Sequence, residues 1–314
     1  MRKKISFVIP CYGSQRTLDG VVTELISTFQ QRKDQYEYEI ILVNDASPDQ
    51  VWDVITNLSK RDANIKGISF SRNFGQHAAL LAGYGKSSGD IVISLDDDGQ
   101  APVESIFELV DKLEEGYDVV YGRYVQMKQS WFRVFGSYVN EKMEEVLLGK
   151  PKNLRGTSFF AMKRFVVDEI VRYKNSYPYI GGLVFRTTKN IGNVTVNQRK
   201  RQDGRSGYTF KKLLKLWING FTAFSEKPLR LATVLGLFCA AGGFLYGIIT
   251  VVRKILNSQI QMGYSSILAV ILFIGGVIMF LLGMIGEYIG RIYISINDAP
   301  QFVIKETTED KTYD

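Results

Sequence analysis

The chain has 314 residues, enough for about two domains at ~150 residues each. Hydrophobic residues make up 46% and charged residues 23%, which excludes a disordered chain or a low-complexity filament. Lys+Arg 39 against Asp+Glu 32 leaves a net charge of +7, which favours an anionic partner: nucleic acid, nucleotide or anionic lipid.

The first residues, MRKKISFVIPCYG, are basic, but the apolar stretch is short and β-rich, with no signal-peptide core. Strands are predicted at residues 5–10, 38–44, 66–71, 90–96 and 118–123. Between them, Leu18, Val21, Val22, Leu25, Ile26 and Phe29 recur at helical spacing, as do Trp52, Ile55 and Leu58, and then Ile106, Phe107, Leu109, Val110 and Leu113. This alternation predicts an α/β fold with a mainly parallel sheet, whose ligands bind at the carboxyl ends of the strands. Residues 10–14, 44–47, 71–75 and 96–100 fall there. Further on, the pattern predicts a helix over 131–148, a strand over 157–162, a helix from Arg164 and a strand over 193–198.

A basic stretch, 199–205, then runs into an amphipathic segment. Leu213, Leu214, Trp217, Ile218 and Phe221 form its apolar face, and Lys211, Lys212 and Lys215 supply charge. At 208–228 it reads as a juxtamembrane helix lying in the interface, with a core helix of the preceding domain as the alternative. Residues 231–252 and 264–286 carry no charge, and each is long enough to cross a ~30 Å hydrocarbon core. The expected organisation is a catalytic domain at 1–207, the interfacial helix, a two-span hairpin at 229–290 (spans about 231–252 and 265–286) and a tail at 291–314. Lys211, Lys212, Lys215, Lys227 and Arg230 before the first span, and Arg291 after the second, outweigh Arg253 and Lys254 in the loop, which puts both termini in the cytoplasm. Glycines at 242, 243, 275, 276, 283 and 286 would permit close helix packing. Cys11 and Cys239 make no disulfide framework, which fits a reducing compartment.

The strongest chemical signal is Asp96-Asp97-Asp98-Gly99-Gln100 after the apolar run IVISL. Clustered carboxylates at a strand end repel one another unless a cation or donor joins them. Asp96, Asp98 and the Gln100 amide offer hard oxygens suited to Mg²⁺ or Mn²⁺, with phosphate and water completing the shell; the alternative is a solvated acidic turn capping the next helix. Asp45, in VNDASPD, sits where a carboxylate can accept a nucleobase N–H, while Ser47 or Asp49 can cap the helix that follows. Tyr12 can pack on a base or on the fold. His77 is the only histidine; its residue type suits a general base, but a helix-start position favours a structural or phosphate-side role.

Taken together, VIPCYG, VNDASPD, SRNFGQHAALLAGY, LDDDGQAP and the paired C-terminal apolar segments resemble the bacterial polyprenyl-phosphate glycosyltransferases, inverting GT-A enzymes related to dolichol-phosphate mannose synthase. RNFGQHAA, QSWFR and GEYIGRIY resemble the undecaprenyl-phosphate aminoarabinose transferase and bactoprenol glucosyltransferase branch. The resemblance implies a GT-A, Rossmann-like domain that moves a sugar from a nucleotide-sugar donor, with UDP favoured, to polyprenyl phosphate. It also implies a bacterial inner-membrane location and a homotetramer.

Residue by residue, the resemblance implies that Asp45 reads the base, with Pro10 and Tyr12 lining its pocket and Asp96 and Asp97 beside the nucleotide. Asp96, Asp98 and Gln100 hold the metal. Asp98, Arg123 and Arg201 serve the reaction itself, and Arg123, Arg133, Ser137, Arg201 and Ser206 face the acceptor phosphate. Arg133 and Ser137 stand i, i+4 on one helical face, so one phosphate can touch both. The alternative for 199–205 is a basic patch on an anionic membrane, and the two roles are compatible.

The chain departs from the family pattern in two places. Gly13-Ser14 stands where an Asn-Glu is usual, and Ser158 where many relatives have an acid considered as a base. A phosphate monoester's second pKa is about 6, so the acceptor is already mostly dianionic near neutrality and no protein base is assigned. Rival classes are a nucleic-acid-binding membrane protein, which leaves the three aspartates unexplained, a processive polysaccharide synthase, which needs more spans, and a non-catalytic scaffold. The expected partners therefore include no nucleic acid.

Overall fold

A computed structural model describes residues 2–124, 145, 149–151, 154–176, 178–197, 199, 227–256, 263–296 and 300–309. The chain divides into two units, Met1–Thr209 with Asp298–Asp314, and Phe210–Asn297.

In the first unit, apolar and β-branched runs form β1 (Lys3–Cys11), β2 (Tyr36–Asn44), β3 (Ile65–Phe70), β4 (Ile91–Ser94), β5 (Val119–Tyr124), β6 (Phe160–Lys163) and β7 (Ile191–Val196). The helices are α1 (Leu18–Phe29), α2 (Val51–Arg61), α3 (Gln76–Lys86), α4 (Ile106–Glu114), α5 (Arg164–Val171) and α6 (Ile180–Thr187). The sheet order is β7-β5-β6-β4-β1-β2-β3, with a last strand, β8 (Ile304–Thr307), beside β3. β1 pairs in parallel with β2 and β4, as do β2 with β3 and β5 with β7. β6 is antiparallel to β4 and β5, and β8 to β3. The expected α/β fold with a mainly parallel sheet is present.

β1 is central and covered on both faces, so Ile5, Phe7, Val8 and Ile9 read as one continuous apolar run and are all fully buried. On one face the stripes Leu18, Val22 and Leu25 of α1, Ile55 of α2 and Ile106 and Leu109 of α4 join Phe7, Ile9 and Leu42 in one core. On the other, Gly83 lets α3 lie directly against Val8 and Val43, where a Cβ would collide. The strand order reverses at β1, between β4 and β2, and the crevice at such a reversal is where open α/β sheets bind ligands.

Pro10 lies near the carboxyl end of the central strand β1, just past Val8, whose carbonyl accepts Leu95 N–H from the segment after β4.

Two elements were not predicted. α6 contains Gly181 and Gly182, which dilute its helical signal. The tail after the apolar segments is not a loose extension: its residues 304–307 form β8 on the edge of β3, and Gly67 makes room for it, since a Cβ there would fall 2.7 Å from Thr308 Cγ2. The predicted helix over 131–148, apart from Glu145, and the juxtamembrane helix up to residue 226 lie outside the described residues.

In the second unit, α7 (Lys227–Leu256) and α8 (Tyr264–Ile296) cover both predicted spans. Among the described residues one stretch, Phe273–Gly290 of α8, is long and apolar enough to cross a membrane; α7 carries a shorter apolar stretch, Gly236–Ile249. Thr233, Gly242, Gly243, Tyr246, Gly247 and Thr250 dilute the uncharged run of α7. The two helices approach at Gly236, where a Cβ would lie 3.8 Å from Leu281 Cδ1, whereas Gly242, Gly243, Gly275, Gly276, Gly283 and Gly286 face open space. Among the described residues the approach of the two helices is recorded at Gly236 and not at those six positions.

Candidate active site

Three loops meet at the carboxyl ends of β1, β2 and β4. The β1–α1 loop is held by its neighbours through its backbone: Tyr12 N–H donates to Asp97 Oδ2 at 2.9 Å, Gly13 N–H to Ser47 Oγ at 2.8 Å and Gln15 N–H to Asp49 Oδ2 at 2.9 Å. Ser47 in turn donates to Asp49 Oδ1 at 2.5 Å. Ser47 and Asp49 therefore chiefly support this loop; helix capping by Asp49 is limited to a 3.3 Å bond from Val51 N–H. So held, the Tyr12 side chain stands 55% exposed, a ring face open to a planar ligand. Pro10, two residues earlier in β1, is buried.

Asp45 is 3% exposed. Its Oδ1 accepts Phe74 N–H at 2.7 Å and its Oδ2 accepts Gly75 N–H at 2.8 Å, while Asn73 Nδ2 bonds its backbone carbonyl at 3.2 Å. Gly75 sits at φ +95°, which turns its N–H toward the carboxylate at a conformation that side-chain-bearing residues avoid. Burial raises the Asp45 carboxyl pKa, and the two N–H donors oppose that rise. A carboxylate has about four lone-pair sites, so this one is oriented and still able to accept one further N–H.

The three consecutive aspartates separate by role. Asp97 turns under the β1–α1 loop, taking Tyr12 N–H on its carboxylate and Thr17 Oγ1 on its carbonyl at 2.7 Å. Burial pushes its carboxyl up to about 6, aided by the charges of Asp96 and Asp98 and opposed by the Tyr12 donor. Asp96 accepts Gln76 Nε2 at 2.8 Å on Oδ1 and the Ser158 hydroxyl on Oδ2. Asp98 Oδ1 closes the turn on Gln100 N–H at 3.0 Å. All three are half-buried, as is Gln100.

Among the described residues no three His, Cys, Asp or Glu side chains form a complete metal cage. Asp96, Asp98 and the Gln100 amide oxygen fit a hard cation that keeps open positions for phosphate and water, the coordination habit of Mg²⁺ and Mn²⁺.

Arg123, the penultimate residue of β5, is exposed, and Tyr124, half-buried, ends the strand. The Tyr124 hydroxyl pKa is driven far up by burial and by the charges of Asp96 and Asp98, which marks this ring as a neighbour of the acidic turn that sequence reasoning did not find. Gln76 is another. Arg199, the first residue of the basic stretch, pairs with Glu24 and Glu104, and its N–H reaches Gln100 O at 3.3 Å, which ties that segment to the aspartate turn. His77 packs edge-on against Tyr179 with ring centroids 5.0 Å apart, and burial lowers its pKa to about 4. It is therefore neutral near pH 7 and weakly basic, which favours the structural role over the general base. Arg133, Ser137, Arg201 and Ser206 lie outside the described residues.

Residues 6–171 match the model of glycosyl transferase family 2, and residues 227–292 match the GtrB C-terminal hairpin. The chain is 34% identical over 313 residues to the SfII prophage-derived bactoprenol glucosyl transferase of Shigella flexneri, covering 97% of this chain and 98% of that protein. It is 32% identical to the undecaprenyl-phosphate 4-deoxy-4-formamido-L-arabinose transferase of Proteus mirabilis, covering 96% and 93%. An uncharacterised glycosyltransferase of Bacillus subtilis, YkcC, is 33% identical, also over 96% and 93%. Among solved structures, glucosyl-3-phosphoglycerate synthase from Mycobacterium tuberculosis in complex with Mn²⁺ and UDP-glucose shares the fold, with a TM-score of 0.50 and 19% identity over 70% of this chain and 77% of that one.

Proposed function

The chain belongs to glycosyl transferase family 2 and is an enzyme that transfers a sugar to polyprenyl phosphate, and we infer that it takes the sugar from a UDP-sugar held with a divalent cation at residues 96–100. The observation that carries the donor side is the convergence of an exposed aromatic, an oriented buried carboxylate and a hard-oxygen turn in one crevice at the point where the strand order reverses.

In this reading Tyr12 stacks on the base, Pro10 floors the pocket, and Asp45 accepts a base N–H on a carboxylate already aimed by Phe74 and Gly75. Asp97 acts one step back, fixing Tyr12 through its backbone. Asp96, Asp98 and Gln100 hold the cation, with Ser158 and Gln76 orienting Asp96. A divalent cation held there would supply charge to offset that of the departing diphosphate. Arg123, Arg133, Ser137, Arg201 and Ser206 receive the acceptor phosphate. One phosphate oxygen attacks the anomeric carbon as the bond to the diphosphate oxygen breaks, which inverts the configuration. The acceptor is mostly dianionic near pH 7, so it needs positioning, and no protein base is invoked.

The protein is membrane-associated, as its relatives' lipid acceptors require. We read residues 227–292 as a two-span hairpin with the catalytic unit and both termini in the bacterial cytoplasm. Two features support this. Leu237, Phe238, Phe244, Phe273, Met279 and Phe280 are all more than 60% exposed on α7 and α8, an apolar surface suited to lipid. The chain also leaves the first unit before α7 and returns to it after α8 as β8, which requires an even number of crossings. A tetramer follows from the resemblance alone.

The test is incubation of the purified full-length enzyme with undecaprenyl phosphate, Mg²⁺ or Mn²⁺, and a panel of labelled UDP- and GDP-sugars. One sugar per lipid from a UDP donor is expected. Transfer from GDP-sugars alone would overturn the donor assignment.

A further inference from the structure

The tail that follows α8 reaches the nucleotide side of the sheet through a ladder of aromatic rings. Phe302 stacks on Phe70 with centroids 5.3 Å apart and planes 8° from parallel. Phe70, the last residue of β3 and 2% exposed, meets Phe74 edge-on at 5.7 Å. Phe74 N–H then donates to Asp45 Oδ1. The same loop is gripped along its backbone, since Ser71 N–H bonds Val303 O at 3.0 Å. The tail is in turn anchored at Gln301, whose Nε2 donates to the carbonyls of Tyr173 and Asn175 at 2.8 Å each, and at Thr308, whose Oγ1 accepts Gly67 N–H at 2.8 Å. The loop at residues 71–75 is thus clamped between the tail on one side and Asp45 on the other. Three of its residues bond to Asp45 and one to the tail, so few of its degrees of freedom remain once both are in place.

We propose that Phe302 is a positioning residue for the nucleotide base: through Phe70 and Phe74 it holds the Phe74 and Gly75 N–H groups that aim the Asp45 carboxylate. The proposal rests on the reading of Asp45 as the residue that meets the base. It makes donor affinity depend on a segment more than two hundred positions away in sequence, which joins the sheet only when the chain has returned from the apolar helices.

Aromatic pairs contribute enough that losing the Phe302 ring should raise the UDP dissociation constant and the donor KM about three- to tenfold. The experiment uses full-length enzyme in detergent with four variants: Phe302→Ala, Phe302→Leu, Phe302→Tyr and Asp45→Ala. UDP binding is measured by calorimetry, and kcat and KM for donor and for undecaprenyl phosphate by steady-state kinetics. Phe302→Ala should raise donor KM and UDP Kd while kcat and the lipid KM stay within about twofold. Phe302→Leu should shift the same way by less, and Phe302→Tyr, which keeps the stacked ring, should restore wild-type values. A general structural role would instead lower kcat and raise both KM values together, and that result overturns the proposal. If Phe302→Ala does not fold, the Leu and Tyr pair decides, and normal donor KM in both overturns it. Donor KM raised by Asp45→Ala and untouched by the Phe302 variants would leave the Asp45 reading standing and remove this one. Donor binding untouched by Asp45→Ala would remove the Asp45 reading itself.

Discussion

The Ser158 hydroxyl donates a hydrogen bond to the carboxylate of Asp96, the first of the three consecutive aspartates. The partner of Ser158 is thus a proposed metal ligand. A hydrogen bond to a charged group contributes roughly 1.5–3 kcal/mol, part of which water restores at a half-buried site. Ser158→Ala should therefore weaken the apparent affinity for Mg²⁺ or Mn²⁺ by about tenfold and recover near-normal kcat at saturating metal. Transfer rate against metal concentration reads this. A rate loss that no metal concentration repairs would give Ser158 a role in proton movement instead.

Asp98 makes a sharper case. Its Oδ1 accepts the Gln100 N–H and thereby shapes the turn in which the proposed cation ligands stand. Asp98→Asn keeps the shape and removes one ligand charge. Transfer should fall by at least about a hundredfold with the melting temperature within a few degrees of wild type, and EDTA should silence the wild-type enzyme. Full turnover in excess EDTA would refute the metal site.

These roles were legible in the sequence to different depths. The strand–helix alternation and the apolar stripes of α1 and α4 follow from local periodicity, so the sheet and its ligand-binding ends could be placed from spacing alone. Asp96, Asp97 and Asp98 look equivalent as letters; the direction each side chain takes at the end of β4 sends Asp97 to the Tyr12 backbone, Asp96 to Gln76 and Ser158, and Asp98 to the Gln100 N–H. Gln76, Ser158 and Tyr124 approach Asp96 only because α3, the segment before β6 and the end of β5 converge in space, which no local pattern records. β8 was missed for a related reason. Ile304–Thr307 is four residues long and mostly polar, and its strand character comes from the edge of β3.

Glu39 gives a stability prediction with a defined sign. It lies in β2 at 1% exposure, and burial alone would raise its pKa, but donors from Ser6, Lys4 and Ser88 outweigh that and hold the carboxyl down at about 2 against an ordinary value of 4.5. The folded pKa is depressed, so the stabilisation is fully present above pH 4.5 and is lost as pH falls toward 2. Glu39→Gln should lower the melting temperature at pH 7 by roughly 5 °C or more, since it breaks a buried charged network. The gap between wild type and variant should close between pH 4.5 and 2 in thermal melts. A gap that stays constant over that window would assign the effect to packing.

The return of the chain to the sheet as β8 makes membrane topology testable at two points. Ser258 falls between α7 and α8 in the sequence, outside the described residues, and Lys305 lies in β8 with a side chain 65% exposed. In a background free of Cys11 and Cys239, Ser258→Cys in sealed inverted vesicles should resist an impermeant maleimide until detergent is added. Lys305→Cys in the same vesicles should label at once. Equal labelling of both without detergent would contradict the hairpin.

The acceptor side rests on arginines, and Arg123 is the one with a described position, exposed at the carboxyl end of β5 next to Tyr124. A guanidinium offers a planar fork of donors that matches two phosphate oxygens, and charge-assisted bonds of this kind are roughly twice as strong as neutral ones. Arg123→Ala should raise the KM for undecaprenyl phosphate by at least about tenfold and leave UDP binding unchanged, because the base and cation residues belong to β1, β2 and β4. Arg123→Lys should recover only part of the loss, since an ammonium replaces the fork by a point charge. Arg133→Ala should show the same lipid-side pattern, and Ser137→Ala a milder one, because a single neutral hydrogen bond is removed. Paired titrations decide: UDP by calorimetry and rate against lipid concentration for each variant. If Arg123→Ala lost UDP affinity and kept a normal lipid dependence, the arginine would belong with the donor diphosphate, and the acceptor would have to approach from another side of the crevice.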